Sequence, residues 1–68
     1  MITVLANGRP VELPDGATLT ELLDRLGVPA KAVAALELNG EPVPRAGQAA
    51  RPLADGDRVE LVRAVAGG

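Results

Sequence analysis

No residue of this chain is aromatic, cysteine or histidine, so its interior must be built from Leu, Val, Ile and Ala alone, with one Met at the start. That constrains the fold more than any motif does. A 68-residue chain buries only about 60% of the surface its unfolded form exposes. No disulfide is available to compensate. Each buried aliphatic contributes about 1.5–3 kcal/mol, set against roughly 1–2 kcal/mol of backbone entropy per ordered residue. One small domain with one core is what such a chain can support. The same absences exclude chemistry. Without Cys or His there is no zinc-finger, haem, thiol-nucleophile or imidazole-base site. The net charge of −2 and the lack of aromatic platforms argue against nucleic acid as a partner. No apolar stretch approaches bilayer length and no leader pattern opens the chain, so a soluble cytoplasmic domain without a membrane partner is expected.

The apolar pattern orders the elements. Ile2, Val4 and Ala6 alternate as one face of a strand. Asn7-Gly8 is a hairpin turn, and Val11 and Leu13 share a face on the returning strand from Arg9 to Leu13. Pro10 sits near that strand's start because it lacks an N–H. After the Pro14-Asp15-Gly16 turn, Thr18 and Glu21 stand at capping-box spacing. Leu19, Leu22, Leu23 and Leu26 then form one apolar helical stripe, which Gly27 and Pro29 terminate.

Residues 32–38 are ambiguous because their alanines favour helix. The alternation of Leu36 and Leu38 with Glu37, closed by Asn39-Gly40, predicts a strand over 33–38. Residues 41–44 form a short edge piece, since two prolines exclude a central strand. Residues 45–53 are irregular, with one helical turn. Asp55-Gly56-Asp57 is a tight turn whose carboxylates bond local N–H groups rather than a metal. The last strand covers 58–64, with Val59 and Leu61 inward and Glu60 and Val62 outward. The order β-β-α-β-(β)-β is the plan of an α+β, β-grasp fold: a mixed four- to five-stranded sheet with one main helix on one face. No glycine begins a phosphate-binding loop, so no cofactor is expected on the chain itself.

A domain of residues 1–64 is followed by a tail of residues 65–68, Val65-Ala66-Gly67-Gly68, expected to be flexible. The residues alone leave its role open. It fits a frayed end. It equally fits a thin strand of four residues, two without Cβ atoms, that reaches about 13 Å into another protein's active site. In that second case Val65, Ala66 and Gly67 thread the channel, and the Gly68 carboxylate is the reacting group, ionised at neutral pH.

The run from Asp55 to Gly68, DGDRVELVRAVAGG, closely resembles the end of the ThiS family of thiamine-pathway sulfur carriers. Leu38-Asn39-Gly40-Glu41-Pro42-Val43-Pro44-Arg45 looks like that family's NG-x-x-VPR segment. The opening strand with Asn7-Gly8, and Thr18-Leu19 with Glu21-Leu22-Leu23, also match, so the resemblance covers essentially the whole chain. The segment before Pro52 lacks an aromatic residue often found there. The resemblance implies a ubiquitin-like fold and a cosubstrate rather than an enzyme. A partner adenylating enzyme, related to ubiquitin-activating enzymes, would use ATP to couple Gly68 to AMP. A cysteine desulfurase or other persulfide donor would supply sulfur, leaving a thiocarboxylate on Gly68. Thiazole synthase would then accept the sulfur. Sister readings keep the fold and tail and change the client to molybdopterin synthesis, tRNA thiolation or conjugation to a lysine.

Sheet alternation adds a docking surface. If Val4 and Val59 face the helix, Leu5 and Val62 face out on neighbouring strands. They are expected to form an apolar patch on the helix-free face, rimmed by Arg58, Glu60 and Arg63.

Overall fold

The computed structural model describes residues 1–64. Its strands are β1 (Ile2–Ala6), β2 (Arg9–Leu13), β3 (Val33–Leu38), β4 (Glu41–Pro42) and β5 (Arg58–Arg63), with one helix, α1 (Leu19–Leu26). Single 3-10 turns occupy Ala30–Ala32 and Arg45–Gly47. The sheet order is β2-β1-β5-β3-β4. β1 pairs antiparallel with β2 and parallel with β5, and β3 pairs antiparallel with both β5 and β4. The last strand among the described residues is therefore the middle strand of a mixed sheet. This is the β-grasp arrangement that the element order predicts. Among the described residues, no helix is long and apolar enough to cross a membrane.

Two Asn-Gly turns make this possible. Asn7 and Gly8 both take positive φ, 50° and 83°, as do Asn39 and Gly40 at 53° and 87°. Left-handed backbone at both central positions matches the twist of the flanking strands. Each asparagine also clamps β5 with its side chain. Asn7 Nδ2 donates to the Leu61 carbonyl at 3.0 Å, and the Leu61 N–H donates to Asn7 Oδ1 at 2.7 Å. The Arg58 N–H donates to Asn39 Oδ1 at 2.9 Å, while Asn39 Nδ2 donates to Asp57 Oδ1 at 3.1 Å. One clamp holds the start of β5 and the other its far half.

The Asp55-Gly56-Asp57 turn works as a tie between elements. Asp57 Oδ2 accepts the nearby Ala54 N–H at 2.8 Å, as turn chemistry predicts. Asp55 reaches further, and its Oδ1 accepts the Thr3 N–H of β1 at 2.7 Å. No metal-holding group of three or more His, Cys, Asp or Glu occurs among the described residues.

Thr18 caps α1, its Oγ1 accepting the Glu21 N–H at 3.4 Å. Gly27 ends it at φ 72°, with its N–H donating to the Asp24 carbonyl. Leu19, Leu22 and Leu23 are buried against Val4, Leu13 and Val59. Leu26 departs from the expected stripe: it is 39% exposed. Its cause is length. Eight residues of helix span about 12 Å, whereas six residues of β5 span about 20 Å, so the last helical position overhangs an uncovered corner of the sheet.

Three further details differ from the pattern. A bulge between Val33 and Ala35 breaks the alternation of β3 and lets Val33 and Leu36 both turn into the core. Strand β5 ends at Arg63, and β4 at Pro42. The irregular segment is tied to the helix start by a Thr18–Pro52 bridge and a 2.7 Å bond from the Leu53 N–H to the Ala17 carbonyl. These ties are backbone bonds, which leave no periodicity in the sequence.

The Asn39 clamp is testable without disturbing backbone preference. Asn39→Asp keeps the shape and tolerates left-handed φ, but it replaces the donor to Asp57 with a second carboxylate. Urea denaturation at neutral pH should show a loss of about 1–3 kcal/mol. An unchanged midpoint would show that the Asn39–Asp57 bond contributes nothing.

Candidate partner-docking surfaces and the root of the tail

The face of the sheet away from α1 is open. Leu5 from β1, Pro10 from β2, Arg58, Glu60 and Val62 from β5, and Ala35 and Glu37 from β3 share it by alternation, and all are exposed. Leu5 and Val62, at 36% and 57% exposure, do face outward as alternation predicts. They do not form one patch. The parallel register sets Leu5 level with Arg58, so Val62 lies four residues further along β5, about 13 Å away. The apolar surface is two islands, Leu5 with Pro10 and Val62 with Ala35. A charged band of Arg58, Glu60 and Glu37 separates them, with Glu60 directly opposite Glu37.

Arg63 does not rim this face. It shares its parity along β5 with Val59 and Leu61, which point to the helix side. There it lines a groove of about 410 Å3 together with Arg9, Val11, Leu26, Val28 and Leu61. This groove is the corner that the short helix leaves uncovered. Sequence periodicity places Leu26 in the core and so hides the groove; the signal available was Gly27, which stops the helix directly after Leu26.

The chain leaves the sheet at that corner. β5 runs past the Asn7-Gly8 turn, and the Ala64 N–H donates to the Ala32 carbonyl at 2.7 Å. The Asn7 clamp on Leu61 sits two residues before the end of the strand. Val65, Ala66, Gly67 and Gly68, the expected threading and sulfur-attachment residues, lie outside the described residues. At the opposite end of β1, the Met1 ammonium is raised above its ordinary value by its 2.7 Å pairing with Asp15, and this group is remote from the tail root.

The facing carboxylates Glu37 and Glu60 oppose each other across antiparallel strands. Like charges in that position are destabilising. Glu60→Lys should therefore raise stability by roughly 0.2–1 kcal/mol, read from the denaturant midpoint, with the gain shrinking in high salt. A loss of stability would show that the pair is compensated.

Fold, length and tail then meet their relatives. The model of the ThiS family matches residues 4–68. The sulfur carrier protein ThiS of Thermus thermophilus is 46% identical over 65 residues, covering 96% of this chain and 98% of its own length. A crystal structure of the thiamine biosynthesis protein ThiS from Geobacter metallireducens aligns with a TM-score of 0.74 at 39% identity, over 98% of this chain and all of that one. A solution structure of a thiamine biosynthesis protein from the same organism aligns with a TM-score of 0.78 at 35% identity, covering 98% of this chain and 88% of that one. A match that runs through both Asn-Gly turns, the central strand and the Gly-Gly end at nearly equal chain length leaves one assignment: the chain belongs to the ThiS family.

Proposed function

We propose that this chain is a sulfur carrier of thiamine biosynthesis whose reacting group is the Gly68 carboxylate. The observation that carries this reading is the family match across residues 4–68, which includes the terminal Gly67-Gly68. The chain is a cosubstrate in this reading, and the catalytic groups belong to partners. That agrees with a sequence that has neither thiol nor imidazole to offer.

The chemistry follows from the state of the carboxylate. Ionised at neutral pH, it is a poor acyl donor but a competent nucleophile towards phosphorus. An adenylating partner binds ATP, and a Gly68 oxygen attacks the α-phosphorus. Pyrophosphate leaves, and the product is a mixed anhydride with AMP. The terminal sulfur of a persulfide on a cysteine desulfurase or similar donor then attacks the carbonyl carbon. AMP leaves with the bonding electron pair. A thiol reductant cleaves the resulting sulfur–sulfur bond, so that Gly68 ends in a thiocarboxylate. Thiazole synthase accepts that sulfur during formation of thiazole phosphate and returns the carboxylate. ATP in this scheme is consumed by the partner and is not held by the carrier.

The body acts as a handle. Asn7 and Asn39 fix β5, and β5 leads directly into the reacting segment. Small residues near the terminus suit a narrow channel, because glycine has no Cβ to clash with its walls.

Incubation with the adenylating enzyme, ATP and a sulfur source should add one sulfur-for-oxygen exchange to the intact mass. The gain must localise to the C-terminal fragment, since oxidation of Met1 gives nearly the same nominal shift. Gly67→Ala should keep the thermal melt of the parent chain yet slow adenylation at least about tenfold, a barrier change of roughly 1.4 kcal/mol. A chain lacking residues 67–68 that still restored thiamine synthesis in a deficient strain would overturn the reading.

A further inference from the structure

We propose that the groove between β2, β5 and the end of α1 is the seat of an aliphatic side chain flanked by carboxylates on the tail-activating enzyme. The proposal rests on the carrier reading above and names the surface by which that partner would hold the tail at its root.

Three observations converge on it. The groove is apolar where it is deep: Val11 and Leu61 are half-buried, Val28 is buried, and Leu26 is 39% exposed at the lip. Leucine at the end of an amphipathic stripe would be covered by the sheet if the helix ran further, so this corner lacks a covering group within the described residues. Second, the two charged residues lining it, Arg9 and Arg63, are both cationic, and no carboxylate lines it. Among the described residues neither arginine forms an ion pair. In a chain of net charge −2 this is a local reversal of sign. Third, Arg63 is the last residue of β5, so the groove abuts the point where the chain leaves the sheet.

The occupant follows from these features. An aliphatic side chain removes Val11, Leu26 and Leu61 from water at about 25 cal/mol per Å2. Carboxylates on either side of it meet Arg9 and Arg63, and arginine's planar fork suits bidentate pairing. Rim charges of this kind chiefly raise the association rate and fix orientation. A groove of this size is an anchor within a larger interface rather than the whole of it. Anchoring there fixes the strand immediately ahead of the reacting segment, so Gly68 is delivered at a set distance from the grip. The recess at the open face, about 440 Å3 between Asn39, Gly40, Arg58 and Glu60, has no aliphatic lining and carries both signs of charge, so it does not suit the same occupant.

The test is ATP–pyrophosphate exchange by the cognate adenylating enzyme, titrated with carrier, comparing the parent chain with Arg9→Glu, Arg63→Glu and Leu26→Asn. Each variant should raise KM for the carrier about tenfold and leave kcat within about twofold, because the grip is lost while the reacting segment is intact. Arg51→Glu, exposed and outside the groove, makes the same charge change and should leave KM within about twofold. Thermal melts accompany each variant. Leu26 and Arg9 are exposed enough that their variants retain the fold even where Arg63→Glu does not. Exchange with an unchanged KM in all three variants overturns this proposal alone. A fall in KM would mean that the chain's own end competes for the groove, and also overturns it. So would a dimer of the free carrier that Leu26→Asn dissociates, since a second copy would then be the occupant. Absence of any exchange with the parent chain overturns the carrier reading and this proposal with it.

Discussion

Everything in this small fold depends on β5 being gripped from both sides. It is the last strand among the described residues and the middle strand of the sheet. Its partners on either side come from residues about twenty or more positions earlier, so its place is secured by non-local bonds whose loop-closure entropy is already spent. The ladder alone does not suffice. β1 stops at Ala6 while β5 continues to Arg63, and β3 stops at Leu38 near the level where β5 begins. Asn7 and Asn39 fill those two gaps with side-chain amides that donate and accept as a backbone would. An amide can do both at once, which is why neither aspartate nor serine is an equivalent. Each asparagine combines the left-handed φ of a turn residue with a side chain bonded to β5. Turn and clamp are one device used twice.

The aliphatic core sets how much that device matters. With no ring to fill volume, the interior is packed by many small contributions from Leu, Val, Ile and Ala. Such a core has little surplus stability. Bonds that hold the central strand in register therefore weigh more here than in a larger domain. The Asp55 and Asp57 carboxylates, which could be mistaken for a metal loop, are spent on the same task. They fasten the start of β5 to β1 and to Asn39.

Most of the architecture was legible because it is written in periodicity and turn chemistry. Alternation located β1, β2 and β5, Asn-Gly marked both hairpins, and Thr18 and Gly27 bounded the helix. What stayed hidden has a common cause. The bulge at Val33–Ala35, the Thr18–Pro52 bridge and the Leu53–Ala17 bond are backbone events that any side chain permits. The docking residues were half legible. Alternation gave the face of Leu5, Arg58, Glu60 and Val62, but distance along the face depends on strand register, which a parallel pair separated by most of the chain does not reveal. Arg63 departs from the expected rim for a simpler reason: its charge suggests a rim, whereas its parity along β5 puts it on the helix side.

That parity has a consequence for how a carrier can be handled. Residues 58, 60 and 62 of β5 look out from the open face, and residues 61 and 63 look into the groove on the other. One strand thus carries both exposed surfaces and continues into the terminal segment. A partner that grips either side is one or two residues from the root of that segment, with no flexible joint between grip and root, because Leu61 is fixed by Asn7 and the Ala64 N–H by the Ala32 carbonyl. How the body is held then sets the direction in which the chain leaves the sheet at Ala64. What such a body presents to a partner is a rigid strand with two recognisable sides, and an aliphatic β-grasp built around β5 supplies that with very few residues.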